Sequence, residues 1–174
     1  PFVNIVNACP ELYERSVVLN GVSKAYSMTG WRIGYCGGPA ELIAAMKKTQ
    51  SQSTSNPCSI SQVAAEAALN GDQGCIAPML KAFKERHDFV VERLTAMQGV
   101  KCLASDGTFY AFADFRELIA GNEAVNNDIE LADFLLSRAG VALVPGSAFG
   151  AEGYMRISYA TSMEMLDQAL TRIA

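Results

Sequence analysis

The chain has 174 residues, of which 50% are hydrophobic and 18% charged, and its formal net charge is −4 at pH 7. This composition is typical of a globular protein and gives no electrostatic reason to bind nucleic acid or an anionic membrane; no apolar run approaches the roughly 20 residues that span a bilayer. Five scattered cysteines without a C-x-x-C pair and a single histidine argue against a metal site, so we expect reduced thiols in a cytoplasmic protein.

The first predicted elements are two short strands with a loop between them. Apolar runs at residues 17–22 and 33–36 are bounded by glycine, which is typical of buried sheet strands. The loop holds Lys24 and, eight positions on, Arg32. Burial lowers the pKa of a lysine amine and makes it available as a nucleophile toward carbonyls. Because an arginine offers a planar fork for a phosphate or carboxylate, the pair suggests a Schiff-base lysine beside an anion clamp.

Two helices are predicted to follow the strands. Pro39 is well placed as the first residue of a helix that runs to about residue 51. Ser59 and Gln62 have the spacing of a capping box, and Gly71 fits a C-terminal cap. These signals predict the second helix between them.

The longest periodic segment runs from residue 76 to residue 97. Its apolar residues recur at steps of three and four, which predicts one amphipathic helix, and His87 lies on the apolar stripe as a structural histidine. A smaller α+β region is predicted after it, with Phe109 and Tyr110 in its core. The predicted strands of this region are residues 100–103, 108–114, 141–144 and 154–160.

Capping signals mark two further helices in this region. Asn127 with Glu130 can cap a helix that ends at Gly140. Thr161 with Glu164 forms a predicted capping box for the last helix of the chain.

Three separated blocks of sequence carry a resemblance to a known family. They read Ser-Lys-Ala-Tyr-Ser-Met-Thr-Gly-Trp-Arg-Ile-Gly at residues 23–34, Pro-Gly-Ser-Ala-Phe-Gly at 145–150 and Arg-Ile-Ser-Tyr-Ala at 156–160. In order and spacing they resemble the aspartate aminotransferase family, the class I pyridoxal-phosphate enzymes, and the similarity extends over nearly the whole chain. The resemblance implies an enzyme that uses pyridoxal 5'-phosphate to transfer an amino group between an amino acid and a 2-oxo acid.

The resemblance also implies roles for individual residues. Lys24 matches the lysine that holds the cofactor as a Schiff base and moves the substrate proton, and Arg32 matches the arginine that binds the cofactor phosphate. Arg156 matches the arginine that binds the substrate α-carboxylate. An unpaired buried guanidinium is costly, so a bound carboxylate is a fitting partner for Arg156. Phe149 is a candidate for lining the substrate pocket, with a simple turn as the alternative.

The expected fold is α/β, organised like aspartate aminotransferase. Residues 1–75 are expected to be the C-terminal part of the large cofactor-binding domain, and residues 76–174 the linking helix and a small α+β C-terminal domain. The chain opens at Pro1 without a methionine, and we interpret it as the C-terminal portion of a longer protein. In the family, the groups that contact the pyridine nitrogen and stack on the ring come from segments before Pro1. We therefore expect weak or no activity from this chain alone, and a homodimer for the full-length protein.

Two other functions remain open at this point. Aminotransferase-like domains also occur as ligand sensors in some transcription regulators, where Lys24 can be kept without turnover. A lyase or synthase of the same fold would use the same lysine. The sequence does not choose among amino acid substrates.

Overall fold

A computed structural model of the protein describes residues 3–174, so the first two residues of the predicted domain 1–75 lie outside the described part of the chain. The chain divides into two compact units, the first ending at Pro78 and the second running from Met79 to Ala174. The division falls inside a helix, Ile76–Thr95. Assigning the units to a cofactor-binding domain and a small C-terminal domain stays a prediction.

The first unit combines helices with one antiparallel strand pair. Its elements are helix α1 (Ile5–Ala8), a 3-10 helix (Pro10–Arg15), strand β1 (Val18–Gly21), a 3-10 turn (Thr29–Trp31), strand β2 (Gly34–Gly37), helix α2 (Ala40–Ser53) and helix α3 (Ser59–Asn70).

Strands β1 and β2 lie where the sequence predicts strands, but they are not buried. They pair with each other in an antiparallel register from Val18 opposite Gly37 to Gly21 opposite Gly34. Leu19 is 76% exposed and Tyr35 is 43% exposed. The prediction of buried strands is therefore wrong for this chain, because within residues 3–174 the ribbon has only two strands and no further strand lies beside them to cover Leu19 and Tyr35.

For helix α3, the predicted C-terminal cap is confirmed and the predicted N-terminal cap is wrong. Helix α3 is followed by the C-cap residue Gly71, whose N–H donates to the carbonyl of Ala67 at 2.9 Å, as predicted. The predicted capping box is absent: the N-cap residue is Cys58 and makes no capping hydrogen bond. The side-chain Nε2 of Gln62 instead donates to the carbonyl of Pro57 at 2.9 Å. Because Ser59 is the first helical residue, its hydroxyl is not in the flanking position that capping requires.

The second unit is built on a four-stranded antiparallel sheet. Its elements are helix α4 (Ile76–Thr95, which begins in the first unit), strand β3 (Lys101–Cys102), strand β4 (Tyr110–Asp114), helix α5 (Arg116–Ala120), helix α6 (Asp128–Phe134), a π-helical turn (Leu135–Ala139), strand β5 (Val144–Pro145), a 3-10 turn (Gly146–Phe149), strand β6 (Tyr154–Ser158) and helix α7 (Met163–Ile173). The strand order is β3-β4-β6-β5. Helices combined with an antiparallel sheet agree with the α+β region that the sequence predicts here.

One face of this sheet forms the hydrophobic core. Side chains alternate along a strand, so Ala111 and Ala113 of β4 and Met155 and Ile157 of β6 point to the same side, and all four are at most 5% exposed. Buried side chains from the helices and loops pack against them: Val90, Leu94, Val100, Phe115, Ile119, Val125, Leu131, Leu135, Tyr159, Leu166 and Leu170. The opposite face of β4 and β6 is left to polar and aromatic residues.

The single histidine is a structural residue, as predicted. His87 is 8% exposed, and its Nε2 accepts a hydrogen bond from the Ser105 amide at 3.1 Å. Its Nδ1 lies 2.9 Å from a carboxylate oxygen of Asp88. Both ring nitrogens therefore have partners, and the ring joins helix α4 to the loop between β3 and β4.

The capping predictions for the second unit are half right. Asn127 caps helix α6 by accepting a hydrogen bond from the Glu130 amide at 2.9 Å. Helix α7 is capped by Ser162, whose hydroxyl accepts from the Met165 amide at 3.3 Å. The prediction of Thr161 is therefore wrong by one position. Among residues 3–174, every helix is too short or too polar to cross a bilayer.

Candidate active site

Lys24 lies on the loop that joins β1 to β2. The loop begins at Val22, which is fully buried, and turns back at once: the Tyr26 amide donates to the Val22 carbonyl at 3.3 Å. The Tyr26 hydroxyl donates to the side chain of Gln73 at 2.8 Å, which fixes the loop within the first unit. Lys24 itself is exposed, so the expectation of a buried amine is wrong for this chain.

Arg32 ends the same loop in an uncommon backbone conformation. Its φ of 48° and ψ of 49° are left-handed, and Ser27 has a φ of 54°. Left-handed backbone is strained for residues other than glycine, and such strain concentrates at functional sites. One guanidinium nitrogen of Arg32 donates to the Thr29 carbonyl at 3.0 Å, and the side chain is exposed. The conformation thus ties Arg32 to its own turn and leaves further donors for an anion.

Arg156 occupies the polar face of the second unit's sheet. It lies on β6, opposite Phe112 of β4 and Val144 of β5, and is half-buried. The central carbon of its guanidinium is 4.5 Å from the centre of the Tyr110 ring and 4.8 Å from that of Phe149. Cation–π contacts of this kind orient a guanidinium without using its N–H donors. These donors remain available for a planar anion.

The two guanidinium groups fit anionic ligands by their surroundings. Within residues 3–174, neither Arg32 nor Arg156 takes part in an ion pair, although Arg93 and Arg116 do. A fixed guanidinium without a protein carboxylate is suited to a phosphate or carboxylate from outside the chain. The same residues contain no cluster of three or more His, Cys, Asp or Glu side chains able to hold a metal ion.

The structure groups the predicted residues by unit. Lys24 and Arg32 share one loop of the first unit, and Arg156 belongs to the second. Their convergence on one ligand stays a prediction. Phe149 is half exposed and contacts Arg156, so the Gly-Ser-Ala-Phe-Gly turn lies beside this arginine.

One neighbour of Arg156 was assigned wrongly from the sequence. Tyr110 was predicted to lie in the core together with Phe109, but only Phe109 packs against the core cluster. Tyr110 begins β4 next to the buried Ala111, so strand alternation turns it to the other face. The small, buried alanines at positions 111 and 113 are the signal that could have identified this alternation.

Comparison with known proteins assigns the family. The model of the family described as aminotransferase class I and II matches residues 3–173. The chain belongs to this family. It is 61% identical over 178 aligned residues to the aspartate/prephenate aminotransferase of Nitrosomonas europaea, covering 99% of the chain and 45% of that protein. It is 48% identical over 176 residues to a probable aspartate/prephenate aminotransferase of Rickettsia bellii, covering 99% of the chain and 44% of that protein.

Solved structures of family members share the fold. The aspartate aminotransferase of Rhizobium meliloti superposes with a TM-score of 0.92 at 47% identity, covering 99% of this chain and 44% of that chain. The aspartate aminotransferase of Thermotoga maritima gives a TM-score of 0.86 at 42% identity, covering 99% and 42%. The chain therefore spans less than half the length of these relatives, which agrees with its interpretation as a portion of a longer family protein. The aspartate aminotransferase-like fold is confirmed.

Proposed function

We propose that the full-length protein is a pyridoxal-phosphate-dependent aminotransferase. The observation that carries the proposal is the loop between β1 and β2, which holds Lys24 and a strained Arg32 that has no ion-pair partner within residues 3–174, in a chain that belongs to the class I and II aminotransferase family. Members of this family use pyridoxal phosphate. When bound, the cofactor supplies an aldehyde for an amine and a ring that takes up the electrons of the substrate's Cα–H bond.

Each of the three predicted residues has one task in this proposal. Lys24 would hold the cofactor through its amine, and once the amino group of the substrate has displaced that amine, it would take the proton from the substrate α-carbon. Arg32 binds the cofactor phosphate, since a guanidinium stays charged at any physiological pH. Arg156 binds the α-carboxylate of the amino acid and orients the Cα–H bond. The aromatic rings beside Arg156 support this task because they hold the guanidinium without neutralising it.

The relatives suggest a substrate pair. Relatives at 61% and 48% identity are described as aspartate/prephenate aminotransferases, and the Rhizobium meliloti structure as an aspartate aminotransferase. We infer aspartate as the amino donor and prephenate as a 2-oxo acid acceptor. We also infer a cytoplasmic homodimer, with the cytoplasmic location supported by five cysteines that are all unpaired.

Trapping the cofactor tests the assignment of Lys24. The full-length protein is incubated with pyridoxal phosphate, reduced with borohydride and mapped by mass spectrometry. We expect the modification on the peptide that contains Lys24, and none in Lys24→Ala. Lys47→Ala, which removes another exposed lysine of the first unit, is the matched control and should be labelled like the wild type. Label spread over several lysines, or label retained in Lys24→Ala, would refute the assignment.

Turnover is measured in a second experiment. With aspartate and prephenate, the full-length protein should form oxaloacetate, and Lys24→Ala should be slower by about 100-fold or more, the contribution of a positioned acid–base group. The 174-residue chain alone should show weak or no turnover. Rapid turnover by the chain alone would contradict that expectation, and absence of turnover by the full-length protein with any amino acid would favour a ligand-sensing domain.

A further inference from the structure

The carboxylate of Asp128 is a buried charge outside the three predicted residues. Asp128 is the first residue of α6 and is 1% exposed. A buried charge is costly unless hydrogen bonds compensate it. Its Oδ2 accepts a hydrogen bond from the Ser147 amide at 2.7 Å. Its Oδ1 is also buried and makes no hydrogen bond of good geometry within residues 3–174. Asp128 is therefore a buried carboxylate that is only partly compensated by hydrogen bonds.

The surroundings keep this carboxylate charged. Burial raises the pKa of Asp128, but the amide and hydroxyl of Ser147 and the amide of Gly153 together hold the pKa below its usual value. Both amides belong to the segment between β5 and β6. Apart from the amide of Asp128 itself, the backbone N–H groups that lower this pKa all come from this one segment.

The segment that Asp128 contacts is a closed turn. The Gly150 amide donates to the Ser147 carbonyl at 3.1 Å, and the Ala151 amide donates to the Gly146 carbonyl at 3.0 Å. A Cβ atom on Gly146 would lie 2.3 Å from the Ala151 carbonyl oxygen, so only glycine fits there. Because the turn is held together by its own backbone, an anchor at Ser147 positions all of it.

The turn carries Phe149 to Arg156. The Phe149 ring centre lies 4.8 Å from the guanidinium carbon, and the ring meets Phe112 edge-on at 6.1 Å. Phe149 is 51% exposed, so burial in the core does not fix its position. Its placement depends on the backbone of the turn, which Asp128 anchors.

We propose that Asp128 is a positioning residue for substrate binding: it anchors the turn Gly146–Phe149, and through Phe149 it holds the Arg156 guanidinium in the orientation that binds a carboxylate. This inference rests on the proposed function of Arg156. It extends that function to a carboxylate that touches neither substrate nor cofactor.

Steady-state kinetics of the full-length protein test the inference. Asp128→Asn keeps the shape of the side chain but removes its charge, and Phe149→Leu removes the ring. Each should raise KM for aspartate about fivefold, the equivalent of one cation–π contact, and leave kcat within about twofold. Asp133→Asn changes an exposed aspartate of the same helix and should match the wild type.

The double variant separates positioning from a general loss of stability. If Asp128 acts through Phe149, the variant with both substitutions should have the KM of the worse single variant, because the same contact is lost twice. The inference would be overturned if the KM increases of the two single variants multiplied in the double variant. An unchanged KM in Asp128→Asn, or an equal KM rise in Asp133→Asn, would also overturn it. If Asp128→Asn does not fold, Phe149→Leu decides: an unchanged KM then overturns it.

A binding measurement distinguishes failure of this inference from failure of the proposed function. Succinate is titrated into the protein by calorimetry, with Arg156→Ala as the control that should lose binding. Weaker binding in Asp128→Asn and Phe149→Leu than in Asp133→Asn supports the positioning role even if no transamination is found. The inference is overturned if the wild type, Asp128→Asn, Phe149→Leu and Asp133→Asn all bind succinate equally. It is also overturned if the wild type does not bind succinate.

Discussion

The two units of this chain differ in how completely they bury their hydrophobic residues. In the second unit, the sheet has one face packed against helices, with Leu94 fully buried and Phe115 only 1% exposed. In the described part of the first unit, Val22 and Ala65 are the only hydrophobic residues that are buried. Leu19 and other large apolar side chains remain exposed there. The second unit supplies its own core, and the first does not.

Because of this difference, some candidate site residues are held in place by this chain itself, and others need the rest of a longer protein. Arg156 is placed by a sheet and by two aromatic rings of its own unit. Lys24 and Arg32 lie exposed on a loop whose neighbouring strands are themselves largely exposed. Because the chain spans about 45% of the length of its relatives, we expect the cover to come from the rest of a longer protein. We therefore predict that Arg156 is preorganised in this chain and that Lys24 is not.

Truncating one leucine in each unit should give the largest contrast. Leu94→Ala opens a cavity in the core of the second unit and should lower the free energy of unfolding by about 3 kcal/mol. Leu19→Ala removes a side chain that is 76% exposed and should change it by less than about 0.5 kcal/mol. Urea unfolding of the 174-residue chain, followed by circular dichroism, measures both values. Equal losses would show that the first unit buries Leu19 and would break the comparison.

Replacing each arginine with lysine should separate the tasks of the two units. Lysine keeps the charge but loses the planar fork, so Arg156→Lys should raise KM for aspartate about 10- to 30-fold in the full-length protein, with an unchanged dissociation constant for pyridoxal phosphate. Arg32→Lys should weaken cofactor binding by a similar factor and leave KM for aspartate unchanged once the cofactor is saturating. Kinetics and cofactor titration test both; an identical pattern in the two variants would contradict the proposed roles.

The ion pair of Asp114 should give the second unit a stability that depends on pH. Hydrogen bonds from Arg116 lower the pKa of Asp114 to about 2. Since the pKa is about 3.9 in an unfolded chain, the pair stabilises the fold above pH 4 and the benefit is lost as the pH falls toward 2. Arg116 is 62% exposed, so we expect only about 1 kcal/mol at pH 7 for Asp114→Asn.

Urea unfolding across this pH range checks the prediction for Asp114. The difference between wild type and Asp114→Asn should shrink steadily as the pH falls from 4 to 2, where Asp114 is about half protonated. Glu123→Gln, which neutralises an exposed carboxylate of the same unit, should show no difference at either pH. A difference for Asp114→Asn that is as large at pH 2 as at pH 7 would mean that the side chain acts through packing and not through its charge.

The positions of helices and strands could be predicted from the sequence better than the burial of their side chains. Periodicity placed helix α4 and strands β4 and β6, because these patterns are local. It could not show that β1 and β2 are largely exposed, since burial depends on which residues are present to pack against them. Tyr110 was assigned to the core because its aromatic side chain outweighed the alternation around it. Asp128 drew no prediction, because its partner Ser147 is 19 residues away and only the fold brings them together.

Helix caps also show, at the scale of one residue, what the sequence alone cannot predict. They give the smallest predicted change in the free energy of unfolding. Thr161 and Ser162 can both cap a helix, and only the backbone conformation decides between them. Ser162 is extended, with φ of −72° and ψ of 155°, and its hydroxyl accepts from the Met165 amide. Ser162→Ala should therefore lower the free energy of unfolding by about 1 kcal/mol, and Thr161→Ala by much less. Urea unfolding of the two variants tests this. A larger loss of stability in Thr161→Ala than in Ser162→Ala would show that Thr161 is the cap, as the sequence predicted.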